Sequence, residues 1–170
     1  MDRSELLVIG GRSGVGKSSV AHALHVHLRD AEVQHAVIEG DTLDLAWPAP
    51  WEHRLSMRNL AALWANYREL GYRRLIYTNT VAVLEADELA EAMGDNPRIT
   101  GVLLTADDFV VGARLALRES GDELAAHIER SARADRRLSA DTPAWMLRVA
   151  TDGRTPTEVA RTIGALLLEW

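Results

Sequence analysis

The chain has 170 residues, no cysteine and a net charge of −6. We expect one domain over residues 1–170 with a buried core. The acidic balance, without a basic run, argues against a nucleic-acid groove, and the lack of cysteine excludes disulfides and thiolate metal sites. No signal-peptide pattern and no membrane-length apolar stretch are visible. We therefore expect a cytoplasmic protein, monomer or homodimer, that binds neither nucleic acid nor membrane.

The first predicted elements are a strand and a helix joined by a glycine-rich loop. The apolar run Leu6–Ile9 is too short for a helix and indicates a buried strand. The next residues have the G-x-x-x-x-G-K-[ST] spacing of a P-loop, whose backbone N–H groups surround phosphates in front of a helix N-terminus. A glycine-rich turn that binds nothing is the weaker alternative, because motif and context agree. The expected ATP-phosphate ligands are Gly11, Arg12, Ser13, Gly14, Val15, Gly16, Lys17, Ser18 and Ser19.

Two P-loop side chains have distinct predicted roles. Lys17 is the only lysine among 19 lysine and arginine residues. A compact ammonium at a phosphate site is not interchangeable with a guanidinium, so this exception fits a chemical need. We expect Lys17 to contact the outer phosphates and the Ser18 hydroxyl to bind Mg²⁺.

An acidic residue follows the second predicted strand, Val33–Glu39. Ligands bind at the carboxyl ends of the strands in open parallel sheets, which makes Asp41 the main candidate acid. It would accept the proton of a substrate hydroxyl or hold the Mg²⁺ shell through water. The alternative is a turn or helix-capping aspartate.

The segment 41–70 is the predicted acceptor-site loop and helix. Trp47 and Trp51 lie between prolines, in a loop that we expect to line a pocket at the ligand edge. The alternative is that these rings fill the core under the next helix, His53–Leu70. Arg54 on that helix is either a clamp for an anionic acceptor or a solvated residue.

The third predicted strand, Arg74–Thr80, ends without the acid that P-loop ATPases place there. The metal would then depend on Ser18, water and, as a further candidate, Asp41. Asn79 at the strand end either binds substrate or water or only caps the strand.

A helical hairpin rich in arginine follows the fourth strand, Ile99–Thr105. Arg114 and Arg118 are spaced i, i+4 on its first helix, and Arg133 lies on its second. We expect a lid over residues 114–138 whose arginines neutralise a transferring phosphoryl group. An exposed amphipathic hairpin is the alternative.

The last predicted elements are a strand, Trp145–Ala150, and a helix that starts with a capping pattern at Thr155–Glu158. Arg154 in the loop between them would lie near the nucleotide base. The element order predicts an α/β fold, a three-layer α/β/α sandwich with a five-stranded parallel sheet.

Four segments resemble the small P-loop kinases, the shikimate, gluconate, adenylate and chloramphenicol kinase-like group: Gly11–Ser19, Glu39–Asp41, the Arg114/Arg118 pair and Val149–Pro156. The resemblance implies a P-loop NTPase fold like that of nucleoside monophosphate kinases, with an arginine-bearing helical lid. It also implies that Asp41 contacts the acceptor hydroxyl and that Arg118 lies near the nucleotide phosphates. The chain departs from this group in its third strand, without an acid or the glycine-rich end of shikimate kinases, and in its Trp/Pro loop.

These patterns together predict a kinase that uses ATP and Mg²⁺ to phosphorylate a hydroxyl of a small molecule. The predicted catalytic residues are Lys17, Asp41, Arg114 and Arg118. The aromatic loop favours an acceptor with an apolar body, such as an antibiotic or another natural product. The alternative is an ATP-binding or ATPase regulatory module without small-molecule kinase activity, which the missing strand-end acid would fit. A GTP switch is disfavoured, because no second lysine is available for an Asn-Lys-x-Asp element.

Overall fold

The computed structural model describes residues 3–167 and is built around a sheet of five strands. All neighbouring strands are parallel, and β1 lies at the centre in the order β2-β3-β1-β4-β5 once the strands are numbered along the chain. They are β1 (Glu5–Gly10), β2 (Ala36–Glu39), β3 (Arg74–Thr78), β4 (Arg98–Thr105) and β5 (Leu147–Ala150).

Helices cover both faces of this sheet. Successive side chains of a strand point to opposite faces, and β1 is buried on both. Leu7 and Ile9 pack with side chains of the first and last helices, whereas Leu6 and Val8 pack with the second and third. The predicted three-layer α/β/α sandwich is therefore confirmed. The helices are α1 (Lys17–Asp30), α2 (Leu55–Glu69), α3 (Ala86–Met93), α4 (Asp108–Ala116), α5 (Gly121–Asp141) and α6 (Pro156–Gly164).

Several element boundaries differ from the prediction for local reasons. Strand β2 starts three residues late, because the Val33 N–H closes the turn after α1 on the Leu28 carbonyl. Strand β3 stops at Thr78, because the Asn79 side chain accepts a hydrogen bond from the Val81 N–H. The predicted cap of α6 is present, because the Thr155 side chain accepts a hydrogen bond from the N–H of Glu158, the third residue of the helix.

The helix predicted at His53–Leu70 begins later than expected, and the bounds of the hairpin helices also differ. A short 3₁₀ turn at Trp51–His53 precedes α2, which begins at Leu55 after Arg54 adopts a φ of 47°. In the hairpin, α4 ends at Ala116 and α5 runs on to Asp141.

The parallel arrangement places the carboxyl ends of all five strands at one edge of the sheet. The P-loop follows β1 there, Gly40 and Asp41 follow β2, and Asn79 and Thr80 follow β3. The loop Thr151–Thr155 follows β5 at the same edge. Among residues 3–167, no helix is both long and apolar enough to cross a membrane.

Candidate functional site

The backbone of the P-loop forms a concave surface between β1 and α1. Gly14 and Gly16 have φ values of 83° and 107°, in the left-handed region that favours glycine. A Cβ built on Gly16 would meet nothing within 4 Å, so space is open beside this backbone. The loop borders a cavity of about 430 Å³. The cavity is lined by residues 13–20, Asp41, Arg114, Leu117, Arg118, Thr151, Arg154, Pro156 and Val159.

The Lys17 ammonium lies across the P-loop backbone. Its Nζ atom donates to the Gly11 carbonyl at 2.9 Å and lies 3.4 Å from the Thr80 hydroxyl. Burial lowers the pKa of Lys17, while the carboxylates of Asp41 and Glu39 act in the opposite direction. The ammonium is thus partly desolvated, and a phosphate bound beside it would favour its charged form.

The hydroxyl of Ser18 is exposed in the first turn of α1 and borders the same cavity. No group of three or more histidine or acidic side chains in residues 3–167 is arranged to hold a metal ion. Mg²⁺ usually takes one or two protein oxygens, substrate phosphates and water, rather than a complete protein cage. The serine hydroxyl, with Asp41 bordering the same cavity, fits that donor set.

Arg12 lies behind the P-loop and not in the cavity. Its side chain is 1% exposed, and its Nε atom donates to the Ser131 hydroxyl at 2.9 Å. The guanidinium also pairs with Asp108. The Ser131 hydroxyl in turn donates to the Ser13 carbonyl at 2.8 Å. The Arg12 side chain therefore joins the P-loop to α4 and α5.

A second connection from α5 reaches the Ser13 side chain. The His127 Nε2 atom lies 2.7 Å from the Ser13 hydroxyl, and its Nδ1 atom lies 2.8 Å from a Glu119 carboxylate oxygen. Sequence reasoning missed His127 and Glu119. The one available indication was that His127 and Ser131 are spaced i, i+4 on a helix, which places them on one face.

The three arginines that were predicted to lie near the nucleotide differ in how they are held. Arg114 donates to the Val15 carbonyl at 3.0 Å and to the Thr151 hydroxyl and carbonyl at 3.0 and 3.2 Å. Arg154 donates to backbone and hydroxyl oxygens of α6. The Arg118 side chain is exposed at the cavity and makes no hydrogen bond or ion pair within residues 3–167. Only the Arg118 guanidinium is therefore ready to approach a phosphate without breaking contacts.

Asp41 and Asn79 meet at the ends of β2 and β3, where the Asn79 Nδ2 atom donates to Asp41 Oδ1 at 3.0 Å. Both side chains were candidates from sequence, and the structure places them together. A Cβ built on Gly40 would overlap the Tyr77 hydroxyl, so a glycine is required before Asp41. Burial, followed by the nearby Glu85 carboxylate, raises the pKa of Tyr77, and its phenol stays protonated.

The two loop tryptophans lie at the surface. Trp47 is 95% exposed and Trp51 is 78% exposed. Neither ring fills the core, and neither is among the residues that line the P-loop cavity. The loop that carries them is thus positioned beside the site, but its rings do not face the cavity in this structure.

Two further candidate arginines, one predicted as an acceptor clamp and one on the lid, have other partners. Arg54 pairs with Glu88 at 3.0 Å, and Arg133 pairs with Glu129 on its own helix at 3.1 Å. Neither is among the residues that line the cavity. The solvated alternative therefore describes both positions in this structure.

No protein-family model and no curated protein matches the chain. Solved structures do match in fold over nearly the whole chain. A tunicamycin resistance protein from Deinococcus radiodurans has a TM-score of 0.68 at 23% identity, covering 98% of this chain and 96% of that one. A gluconokinase from Sinorhizobium meliloti has a TM-score of 0.59 at 18% identity, with 99% and 96% covered.

An APS kinase from Mycobacterium tuberculosis, solved in complex with AMPPNP and APS, is also similar in fold. Its TM-score is 0.57 at 18% identity, with 98% of this chain and 99% of that chain covered. These similarities confirm the fold of the P-loop kinases, which the sequence resemblance predicted.

Proposed function

We propose that this protein transfers the γ-phosphoryl group of ATP to a hydroxyl group of a small molecule. One observation carries the proposal: Lys17, Asp41 and Arg118, from three separate elements, border a single cavity. Phosphoryl transfer is catalysed mainly by positioning and by stabilisation of charge, and it needs cations at the phosphates and a carboxylate that accepts the proton of the acceptor hydroxyl. The fold shared with P-loop kinases supports the same conclusion.

The phosphate side of the cavity would bind the nucleotide. Backbone N–H groups around Gly14 and Gly16 would surround the phosphates, with Lys17 beside them. Ser18 would provide the protein oxygen for Mg²⁺, which supplies charge neutralisation when it is bound. Arg118 would approach the transferring group from the lid, proposed over residues 114–138. Arg114 would act indirectly, because it already holds the loop carbonyls.

The acceptor side would orient the hydroxyl. Asp41 would accept its proton, and the hydrogen bond from Asn79 would fix which carboxylate oxygen faces the acceptor. Trp47 and Trp51 would contact the acceptor only after the loop that carries them turns toward the cavity. An antibiotic or another natural product with an apolar body would suit such a loop. By their names, one structurally similar protein confers resistance to tunicamycin and another is a kinase of gluconate.

An ADP-release screen of hydroxylated metabolites and antibiotics tests the proposal. We expect at least one compound to accelerate ADP release from ATP and to gain a phosphate by mass spectrometry. Lys17→Ala should lower this rate about a thousandfold, because one cation at the transferring group is lost. Normal ATP binding and turnover by Lys17→Ala would contradict the proposal. Slow hydrolysis that no compound accelerates would instead favour a regulatory ATPase.

A further inference from the structure

We infer that His127 is a positioning residue for Arg118, whose guanidinium would approach the transferring phosphoryl group. His127 joins the P-loop to the turn between α4 and α5, and Arg118 lies in that turn. The inference rests on the proposed function and adds to it a residue that does not border the cavity. Through this link, an exposed arginine is kept in place before a phosphate binds.

The imidazole of His127 contacts one residue at each of its two nitrogen atoms. The Nδ1 atom lies 2.8 Å from a Glu119 carboxylate oxygen, and the Nε2 atom lies 2.7 Å from the Ser13 hydroxyl. A carboxylate only accepts hydrogen bonds, so Nδ1 carries the hydrogen and the Nε2 atom of the neutral ring accepts from the Ser13 hydroxyl. The side chains of His127 and Glu119 are 23% and 32% exposed, so water screens their contact less than it screens a surface ion pair.

Glu119 directly follows Arg118 in the turn 117–120. The N–H groups of Arg118 and Glu119 both donate to the Leu115 carbonyl, at 2.9 and 3.1 Å, and so continue the end of α4. The Glu119 side chain then contacts His127 on the next helix. The backbone at Arg118 is therefore held by α4 on one side and by α5 on the other, while the Arg118 side chain stays exposed at the cavity.

Helix α4, which leads into this turn, lies directly on the P-loop. A Cβ built on Gly14 would come within 3.0 Å of Val111 and 3.1 Å of Leu115, two buried residues of α4. With α4 packed on the P-loop and the following turn tied to α5, the position of Arg118 depends on contacts made behind the phosphate site. A cation that is positioned in advance stabilises developing charge without being reordered at the moment of reaction.

A purely structural role for His127 would be to dock α5 on the P-loop. Ser131 already makes a contact of that kind, because its hydroxyl donates to the Ser13 carbonyl at 2.8 Å. Docking of α5 does not require Glu119, whereas a link to the arginine turn does. Variants that remove one of these contacts at a time therefore separate the two roles.

A double-mutant cycle tests whether His127 acts through Arg118. Binding of AMPPNP with Mg²⁺ is measured by calorimetry in the original chain, in His127→Ala, in Arg118→Ala and in the double variant. We expect Arg118→Ala to weaken binding at least about tenfold, because a charge-assisted contact with phosphate is lost. His127→Ala should weaken binding about fivefold in the original chain and less than about twofold in the Arg118→Ala background. Equal effects of His127→Ala in both backgrounds would overturn the inference.

Variants of Glu119 keep the test decisive if His127→Ala does not fold. Glu119→Ala removes the acceptor beside the arginine and leaves the contact of His127 with Ser13 in place. We expect it to weaken AMPPNP binding about fivefold, whereas Glu119→Gln, whose amide oxygen still accepts from Nδ1, should bind within about twofold of the original chain. Both changes remove the same charge, so their difference reports the hydrogen bond, and equal losses would contradict the inference. Glu129→Ala, which breaks an exposed ion pair on α5, is the matched control and should leave binding unchanged.

The order of the turn can also be measured without a nucleotide. The chain has no cysteine, so a spin label attached to Arg118→Cys reports this site alone. We expect His127→Ala or Glu119→Ala to shorten the rotational correlation time of the label at least about twofold, because the turn is released from α5. Glu129→Ala should not change it. A label that is equally mobile in all of these variants would overturn the inference.

These outcomes are distinct from failure of the proposed function. If no compound accelerates ADP release, the transfer function fails, and the cycle with AMPPNP still decides whether His127 acts through Arg118. If AMPPNP does not bind, the nucleotide function fails as well, and the mobility of the label decides whether His127 holds the turn.

Discussion

The two sides of the candidate site are built differently. On the phosphate side, the buried Arg12 and the α5 residues His127 and Ser131 connect the P-loop to the helical hairpin. On the acceptor side, the segment 43–54 follows the 3₁₀ turn after β2 and carries the exposed Trp47. That segment is anchored at its start, where the Asn59 side chain donates a hydrogen bond to the Leu43 carbonyl at 2.5 Å.

This difference matches what each side would have to recognise. The phosphates of ATP have one shape, so their binding loop gains from being held in place before the ligand arrives. A loop that selects among acceptors gains from being able to change without unfolding the protein. We therefore expect substitutions behind the P-loop to reduce stability, and substitutions on the acceptor side to alter activity alone.

The largest effect on stability should come from Arg12→Ala. The change leaves the Asp108 carboxylate and the Ser131 hydroxyl without their partner and opens a void behind the P-loop. We expect a loss of about 3 kcal/mol in the free energy of unfolding, measured by urea denaturation. Arg54→Ala, which breaks an exposed ion pair, is the control and should cost less than about 1 kcal/mol. Equal effects of the two variants would remove the distinction between the two sides.

Asp41→Asn should have the next largest effect, and on activity alone. The amide cannot accept the acceptor proton, so we expect kcat to fall about a hundredfold. The side chain is exposed, and the free energy of unfolding should change by less than about 0.5 kcal/mol. Asp30→Asn on α1 is the matched control for both measurements. A full rate with Asp41→Asn would remove the proposed role of this carboxylate.

Sequence alone was sufficient for the features that depend on local pattern or on the order of the elements along the chain. The P-loop is continuous in the chain, so its spacing is visible without a structure. Asp41 and Asn79 could each be assigned in advance to the ligand-binding edge, because the carboxyl ends of parallel strands meet there, but their hydrogen bond was not predicted. The five strands were predicted in type, with shifts of a few residues where turns closed early.

The connections behind the P-loop could not be predicted in this way. Arg12 and Ser131 are 119 residues apart, and Ser13 and His127 are 114 residues apart. No spacing rule relates such positions, because their contact depends on how the hairpin packs on the loop. For the tryptophan loop a prediction was made, and it was wrong. Composition indicated buried or pocket-facing rings, but composition does not determine the direction in which a loop turns.

The pH dependence of ATP binding should report the environment of Lys17. Burial lowers the pKa of Lys17 in the free protein from its usual 10.5, whereas bound phosphates would favour the charged ammonium and raise it again. Between these two pKa values, binding takes up a proton and affinity falls as pH rises, by at most about tenfold per pH unit.

Calorimetry in buffers of different ionisation enthalpy measures that proton uptake over the alkaline range below the usual lysine pKa of 10.5. Lys17→Arg is the control, because a guanidinium remains protonated throughout this range and should remove the uptake. Proton uptake that persists in Lys17→Arg would mean that another group titrates at the phosphate side.

The smallest effect on stability should come from the double variant Trp47→Ala/Trp51→Ala. Both rings are already exposed, so their truncation should change the free energy of unfolding by less than about 0.5 kcal/mol. If the loop turns toward a bound acceptor, KM for that acceptor should rise about tenfold while kcat and the affinity for ATP stay constant. Trp64→Ala is the opposite case, because that ring is 1% exposed in the core, and it should cost at least about 3 kcal/mol. A double variant that unfolds as easily as Trp64→Ala would show that the loop tryptophans hold the acceptor side together, and the contrast between a fixed phosphate side and an adaptable acceptor side would be lost.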